Sequence, residues 1–416
     1  MKKILAFFIA TSCFFNSNAQ DFDYVRFVVD TLSSPGMHGR GYAGNGDKIA
    51  AGFIINEFKD SGLKCFGENY FQEFAIPINT FPDTINVFVD NIPLKPGEDF
   101  VLFSSSPKVS GTFELFWLLM DSTGTLLPVE DYGMIDITER VIVTDMNQAD
   151  FKDDGNFKSK GIVFLKEDKV WWHVSNGTIV KDYFSLQIVS DKIPRTAKHL
   201  TINVENSFFE SYVTQNVISY VPGEQYPDRF FVFTAHYDHL GQMGAETYFP
   251  GANDNASGMA MLLDLARHFS LPENQPECSI AFMAFSAEEV GLMGSGFYAS
   301  NPMFPLEKIK FLVNLDMVGS GSEGIKVVNG EVFTDEFGKL VKINDDNQYI
   351  ATVSPRGEAA NSDHYPFYKK GVPCFFIYTL GKESKEYHTV YDTPENAPFT
   401  EYVDFFKLLI DFESSF

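Results

Sequence analysis

Five residues of metal-ligand type are spread over the C-terminal half of the chain: His236, Asp254, Glu289, Asp316 and His388. Four of them follow apolar runs. FVFTA leads into His236, with Asp238 and His239 close behind; IAFMAFS leads into Glu288-Glu289; KFLVN leads into Leu315-Asp316; and VPCFFIY precedes Tyr387-His388-Thr389. Asp254 lies between the first two, in GANDNASG, where a helix opens. Taken singly, each has a structural reading, the Glu-Glu pair as solvated charge and an Asp after a strand as a turn residue or cap. Taken together, a mixed nitrogen and oxygen set of five suits two zinc-class ions that share one bridging carboxylate.

Such a set needs elements that bring it to one place. From Gln215 onward, short dense apolar runs alternate with amphipathic ones. Strands are predicted at 216–221, 229–235, 279–285, 309–315, 325–328 and 372–378. Helices are predicted at 256–269, 292–299, 334–342, 365–369 and 400–412. This pattern predicts an α/β domain whose mixed, mostly parallel sheet is flanked by helices. Ligands of such sheets bind beyond the carboxyl ends of the strands, where these residues fall. Residues i and i+2 leaving a strand share a face, so Asp238 is placed to orient the His236 imidazole, and His239 points to the other side. Glu288 and Glu289 are adjacent on an extended backbone and point apart, so one can bind metal while the other meets a metal-bound water.

The chain before Gln215 differs. Residues 21–66 are helical in character, with Ile49, Ile54, Ile55 and Phe58 at helical spacing and Gly62 as the stop. His38, in a Gly-rich turn, reads as solvent-facing. From about Phe71 to Glu205, short β-like runs alternate with Pro, Gly, Asn and Asp, and only Ala149–Ser159 reads as a short helix. This stretch predicts a β-rich module inserted in the chain. Within it Trp171 and Trp172 read as one core and one edge residue.

The 416 residues carry a formal charge of −24, which argues against nucleic acid as a partner, because phosphate binding needs a basic surface. Lys2-Lys3, the apolar Ile4–Ala10 and Ser17-Asn18-Ala19 read as a secretory signal peptide over 1–19, cleaved near Ala19. The predicted product is exported, periplasmic or secreted. Cys13 offers the weaker alternative of a lipoprotein, since Ala10-Thr11-Ser12 lacks the large aliphatic residue of that signal. Nothing else approaches the ~18 apolar residues of a membrane span. Cys65, Cys278 and Cys374 are far apart and odd in number, so neither a disulfide framework nor a thiolate metal site is indicated.

The motifs AHYDH, GANDNASG, FSAEEVGLMGS, NLDMVG and EYHTVYDT, in this order and with these gaps, resemble those of the di-zinc aminopeptidases of metallopeptidase family 28. The resemblance covers about residues 30–75 and 210–416. It implies a zinc exopeptidase fold made of residues 20–80 and 206–416, and it makes 81–205 similar in position to a protease-associated domain. Carried over by position, it implies two zinc ions per chain with Asp254 as the bridge. Glu289 and His388 would complete one site, and His236 and Asp316 the other. Glu288 matches the general base, which would take the proton of the metal-bound water and pass it to the leaving amine; Asp238 matches the carboxylate that supports His236.

The implied activity is removal of N-terminal residues from a peptide or protein substrate. Two other readings share the fold: a glutaminyl cyclase-like acyltransferase with one zinc, and a non-catalytic binding ectodomain. The complete ligand set favours the peptidase. Ser362-Asp363-His364 also matches a recurrent family segment, with Asp363 as the candidate site residue. One departure stands out. Some members carry a tyrosine three residues before this serine, where it assists the tetrahedral intermediate. Here that position is Ala359, which leaves the contact to another group such as Tyr387.

Overall fold

The computed structural model describes residues 22–119, 136–148 and 158–416. The signal segment 1–19, Cys13 and most of the short helix expected around Ala149–Ser159 lie outside the described residues. Two α-helices open the described chain, α1 (Phe22–Leu32) and α2 (Gly46–Asp60), followed by strand β1 (Phe71–Thr80). The left-handed turn at Gly62 (φ 73°) follows the end of α2.

Two eight-stranded sheets are formed by the described residues. The second comprises β2 (Asn86–Val89), β3 (Ile92–Leu94), β4 (Phe100–Leu102), β5 (Val109–Leu118), β6 (Val141–Thr144), β7 (Gly161–Lys166), β8 (Phe184–Val189) and β9 (His199–Val204). All of its strands lie between Asn86 and Val204, within the stretch read as an insertion. Trp172 is buried, and its indole donates to the Leu102 carbonyl at 2.6 Å; Trp171 is partly exposed.

The first sheet takes β1 and then β10 (Ser207–Val221), β11 (Tyr226–His236), β12 (Cys278–Phe285), β13 (Ile309–Leu315), β14 (Gly324–Val328), β15 (Val353–Arg356) and β16 (Cys374–Leu380). Their order across the sheet is β1-β10-β12-β11-β13-β16-β14-β15. The central run β12-β11-β13-β16 is parallel, and β1, β10 and β14 join antiparallel. The sheet is mixed and mostly parallel, as the strand texture predicts. β10 is longer than its apolar core suggests. Its largely exposed first half pairs with β1, down to Thr80 opposite Ser207.

Alternation along the strands explains why the central ones are apolar throughout. In β11, Phe231, Phe233 and Ala235 face the core shared with α1, α2, α3 (Gly258–Ser270) and α7 (Tyr402–Glu413). Phe230 and Val232 face the opposite core, with Tyr298 of α4 (Met293–Ser300) and Phe367 of α6 (His364–Lys369). A strand buried on both faces has no use for polar side chains until it ends. Helix α5 (Thr334–Asn347) contributes Leu340 to the first core.

The order β12-β11-β13 matters most for the site. The chain leaves β11, returns on one side as β12, and then crosses to the other side as β13. This reversal opens a crevice beyond the carboxyl end of β11, the position where ligands bind in open α/β sheets.

Candidate active site

The crevice holds the five candidate ligands. His236 is the last residue of β11, Asp316 the first after β13, and Glu288-Glu289 follow β12 by two residues. Asp254 sits in the turn of helix that precedes α3, and His388 lies in the loop after β16. The His236 Nε2 atom is 3.4 Å from Asp254 Oδ1 and 3.4 Å from Asp316 Oδ1. The His388 Nε2 atom is 3.1 Å from Asp254 Oδ2 and 3.2 Å from Glu289 Oε2. The two oxygens of Asp254 thus face two different histidines, each paired with one further carboxylate. Glu288 clusters with His236 and Asp316, and His239 with Asp254 and Glu289.

Left-handed backbone recurs at the site. Ala287 (φ 59°), Met317 (φ 58°) and His388 (φ 55°) are next to, or are, candidate ligands. Such conformations cost about 1–3 kcal/mol each and persist where surrounding structure holds them. The Asp254–Asn255 peptide is cis. Gly251 precedes it with φ 60°, and a Cβ there would meet the Asp254 carbonyl, the His239 ring and the Arg40 guanidinium. No other residue fits.

Asn253 and Asn255 shape the backbone around Asp254. Asn255 Oδ1 accepts from the amides of Gly258 (2.9 Å) and Met317 (3.2 Å), while its Nδ2 donates to the Leu315 carbonyl at 3.0 Å. Asn253 Oδ1 accepts from the Gly319 amide at 2.9 Å. The segment is thereby tied to the end of β13.

One expectation is refined and one corrected. The Asp238 carboxylate meets the His236 ring at ion-pair distance, Oδ1 3.9 Å from Nδ1, and the hydrogen-bond partner of that nitrogen is the Asp238 carbonyl at 3.1 Å. The carboxylate accepts from the amides of Glu288 (3.1 Å) and Glu289 (3.4 Å) and from the Tyr42 hydroxyl (3.3 Å). The chain turns after His236, so the i, i+2 rule of a continuing strand no longer governs where Asp238 points. The same turn brings His239 into the site rather than to its far side. His239 is fully buried, and its Nδ1 lies 2.8 Å from Glu289 Oε1, leaving Oε2 towards His388.

In the Ser362-Asp363-His364 segment it is Ser362 that touches a candidate ligand. Its hydroxyl donates to Asp316 Oδ2 at 2.7 Å and accepts from Asn314 Nδ2 at 2.8 Å. The Asn314 Oδ1 atom in turn accepts from Thr234 at 2.6 Å. Asp363 is buried behind this chain, and burial raises its carboxyl to about 7. His38 is partly buried, with Nδ1 3.1 Å from Gln242 Oε1.

Four further residues support the site: Tyr387 and Asp392 belong to the EYHTVYDT motif, while Arg40 and His173 carry no sequence signal. Arg40 is fully buried, and its guanidinium donates to five carbonyls, those of Tyr237 (2.8 Å), Leu32 (2.9 Å), Pro250 (2.6 Å), Gly251 (2.8 Å) and Asp254 (3.2 Å). Burial lowers its pKa to about 10, against the pull of Asp254 and Asp392. Asp392 accepts from the amides of Asn253 (2.8 Å) and Asp254 (3.0 Å). Tyr387 stacks on the His388 ring with centroids 3.9 Å apart. His173, from the second sheet's domain, lies against the other edge of that ring. Arg40→Met is expected to destabilise the fold by about 3–5 kcal/mol, the scale for removing one partner of a buried charge network. Urea denaturation checks this.

The charges divide the acids into two kinds. Burial pushes Glu288 well above the ordinary carboxylate range, with His236 opposing and Glu289 adding to the rise. Burial also raises Glu289, but His388 and the His239 hydrogen bond outweigh it and hold the group well below that range. Asp254 is likewise lowered: burial and Glu289 raise it, and the His388 contact and His239 prevail. The two adjacent glutamates thus sit in environments that push their carboxyls in opposite directions. His388 is held up at about 11, since Glu289 and Asp254 overcome the effect of burial.

The donor set fits zinc. Imidazole nitrogens and carboxylate oxygens converge in two groups, and the surplus of buried negative charge calls for cations. The ring nitrogens of His236 and His388 turned away from the cluster have partners, as ligand histidines require.

Residues 216–412 match the model of Peptidase family M28. Aminopeptidase YwaD of Bacillus subtilis is 31% identical over 201 residues, which is 45% of this chain and 41% of that protein. The chain therefore spans well under two thirds of this relative's length. BSAP, described as a zinc aminopeptidase from Bacillus subtilis, superposes with a TM-score of 0.68 at 21% identity, covering 93% of each chain. A glutaminyl cyclase from Bacteroides thetaiotaomicron superposes with a TM-score of 0.52 at 14% identity, covering 96% of this chain and 99% of that one. At such identities the two structures speak for the fold alone.

Proposed function

Given that residues 216–412 match the model of Peptidase family M28, we propose that the chain is a zinc-dependent aminopeptidase of that family that hydrolyses N-terminal residues from peptides. The observation that carries this reading is the split presentation of Asp254, one oxygen to His236 and one to His388. A carboxylate placed in this way would be shared by the two ions if both were bound. His236 and Asp316 would hold one zinc, and His388 and Glu289 the other. Zinc, when bound, supplies a Lewis acid for the scissile carbonyl and lowers the pKa of a water held there.

The chain's own groups do the rest. Glu288 accepts the proton of the attacking water and delivers it to the leaving amine; its raised carboxyl, clustered with His236 and Asp316, supports that role. Glu289, kept charged, stays a ligand. Asp238 fixes both glutamates through their amides. The Tyr387 phenol, stacked on the His388 ring, takes the contact to the developing oxyanion that Ala359 does not provide. The acidic surroundings receive the free α-ammonium of the substrate.

The reading extends to the rest of the chain. Residues 1–19 direct export, to the periplasm or the medium. Residues 20–80 and 206–416 form the peptidase domain, and 81–205 form a protease-associated-like insertion.

The purified mature protein tests the activity. It is expected to carry two zinc ions per chain and to cleave aminoacyl p-nitroanilides and free peptides. N-acetylated peptides should resist, and a chelator should abolish turnover. Cleavage of blocked peptides, or turnover indifferent to the chelator, would overturn the reading. One zinc together with pyroglutamate formation from N-terminal glutamine would identify the cyclase instead.

A further inference from the structure

We propose that His173, carried by the β-rich insertion, is the positioning residue for the metal ligand His388, so that the inserted sheet is part of the metal centre. The proposal rests on the zinc peptidase reading above.

The His388 ring uses both edges. Its Nε2 faces Asp254 and Glu289, and its Nδ1 lies 3.1 Å from His173 Nδ1. An imidazole that gives its Nε2 lone pair to a metal carries its proton on Nδ1 and donates it. His173 Nδ1 must then accept, which puts the His173 proton on Nε2. Ligand histidines donate this bond to a carboxylate, a backbone carbonyl or water in nearly every case, and the bond fixes ring orientation and raises ligand basicity. Here the acceptor is an imidazole from the loop between β7 and β8 of the inserted sheet.

The contact is not a chance touch of two rings. His173 is braced from behind by Trp171, with centroids 5.1 Å apart, and it meets the His388 ring edge-on at 4.8 Å. The preceding residue grips the same ligand by its backbone, since the Trp172 amide donates to the His388 carbonyl at 2.9 Å. Trp172 is itself pinned by the Leu102 carbonyl and by the Phe249 ring at 4.9 Å. Lys169 adds a bond to the Lys385 carbonyl (3.2 Å) and an ion pair with Glu386 (3.1 Å). Segment 169–173 thus holds 385–388 at ring, backbone and flank. His388 needs that hold, because its φ of 55° is one that a β-carbon disfavours.

The test compares His173→Phe, His173→Ala and His173→Asn with the wild-type chain. Phenylalanine keeps the packing and lacks an acceptor. Asparagine can accept through Oδ1. Chelator competition read by zinc content should show one of the two zincs weakened by about 10–100-fold in the Phe and Ala variants. Their kcat should fall with KM little changed, and Asn should restore most of both. Phe or Ala variants that hold both zincs at wild-type affinity would overturn the proposal, as would an Asn variant no better than Ala. Nitrogen-15 shifts of the wild-type zinc protein add a readout that needs no variant: His388 Nδ1 must be protonated and His173 Nδ1 not. A wild-type protein that takes up no zinc overturns the function reading as well, and is seen before any variant is made.

Discussion

Glu288→Gln is expected to leave the fold intact and the zinc bound while turnover falls by about 10²–10⁴-fold, the usual contribution of a positioned acid/base. The geometry separates this residue from its neighbour. Glu289 Oε2 is 3.2 Å from His388 Nε2 and its other oxygen faces His239, so it stays with the ligands. Glu288 clusters with His236 and Asp316, and its carboxyl is raised. A neutral amide there keeps the shape and the backbone bonds to Asp238 but accepts no proton. Zinc content per chain and kcat, measured on one preparation, check it. A near wild-type kcat would remove Glu288 from its role as base.

Asp254→Ala is expected to have the larger effect on composition, with both zincs lost together. Each histidine pair is completed by a different oxygen of this one carboxylate. Removing it leaves two incomplete sites and brings the buried histidines no compensating ligand. The Arg40 guanidinium, which bonds the Asp254 carbonyl, and Asp392, which bonds its amide, act on the backbone and survive the substitution. The chain should therefore remain folded while losing metal, and circular dichroism with zinc analysis separates the two. Retention of two tightly held zincs would show that Asp254 is not a bridge.

The parts of this site legible in the sequence are those with a local cause. A strand buried on both faces must be apolar until it ends, so Phe231–Ala235 running into His236 advertises both the strand and its end. Four such endings on one sheet give the site. The parts not legible depend on what lies opposite in space. Arg40 bonds only to backbone carbonyls, which carry no side-chain signature, and four of its five targets are about 200 residues away. His173 stands in a segment whose aromatic neighbours read as packing, and its partner comes from a loop more than 200 residues away. The hydrogen bonds of Asp238 and the place of His239 are not legible because the chain bends after His236, beyond which strand alternation no longer sets where side chains point.

The pairing of Thr80 with Ser207 has a consequence for how the chain folds. The inserted sheet leaves and re-enters the main one at facing residues of two paired strands, so it hangs from a neck two strands wide. Until 81–206 collapses, joining β1 to β10 means closing a long loose loop, with the entropic cost that carries. Once the β2–β9 sheet has formed, its own ends are brought near each other, and the main sheet's most distant pairing becomes a nearly local one. Assembly of the peptidase edge is thereby made to wait for the guest domain, the same domain that later reaches back to hold His388.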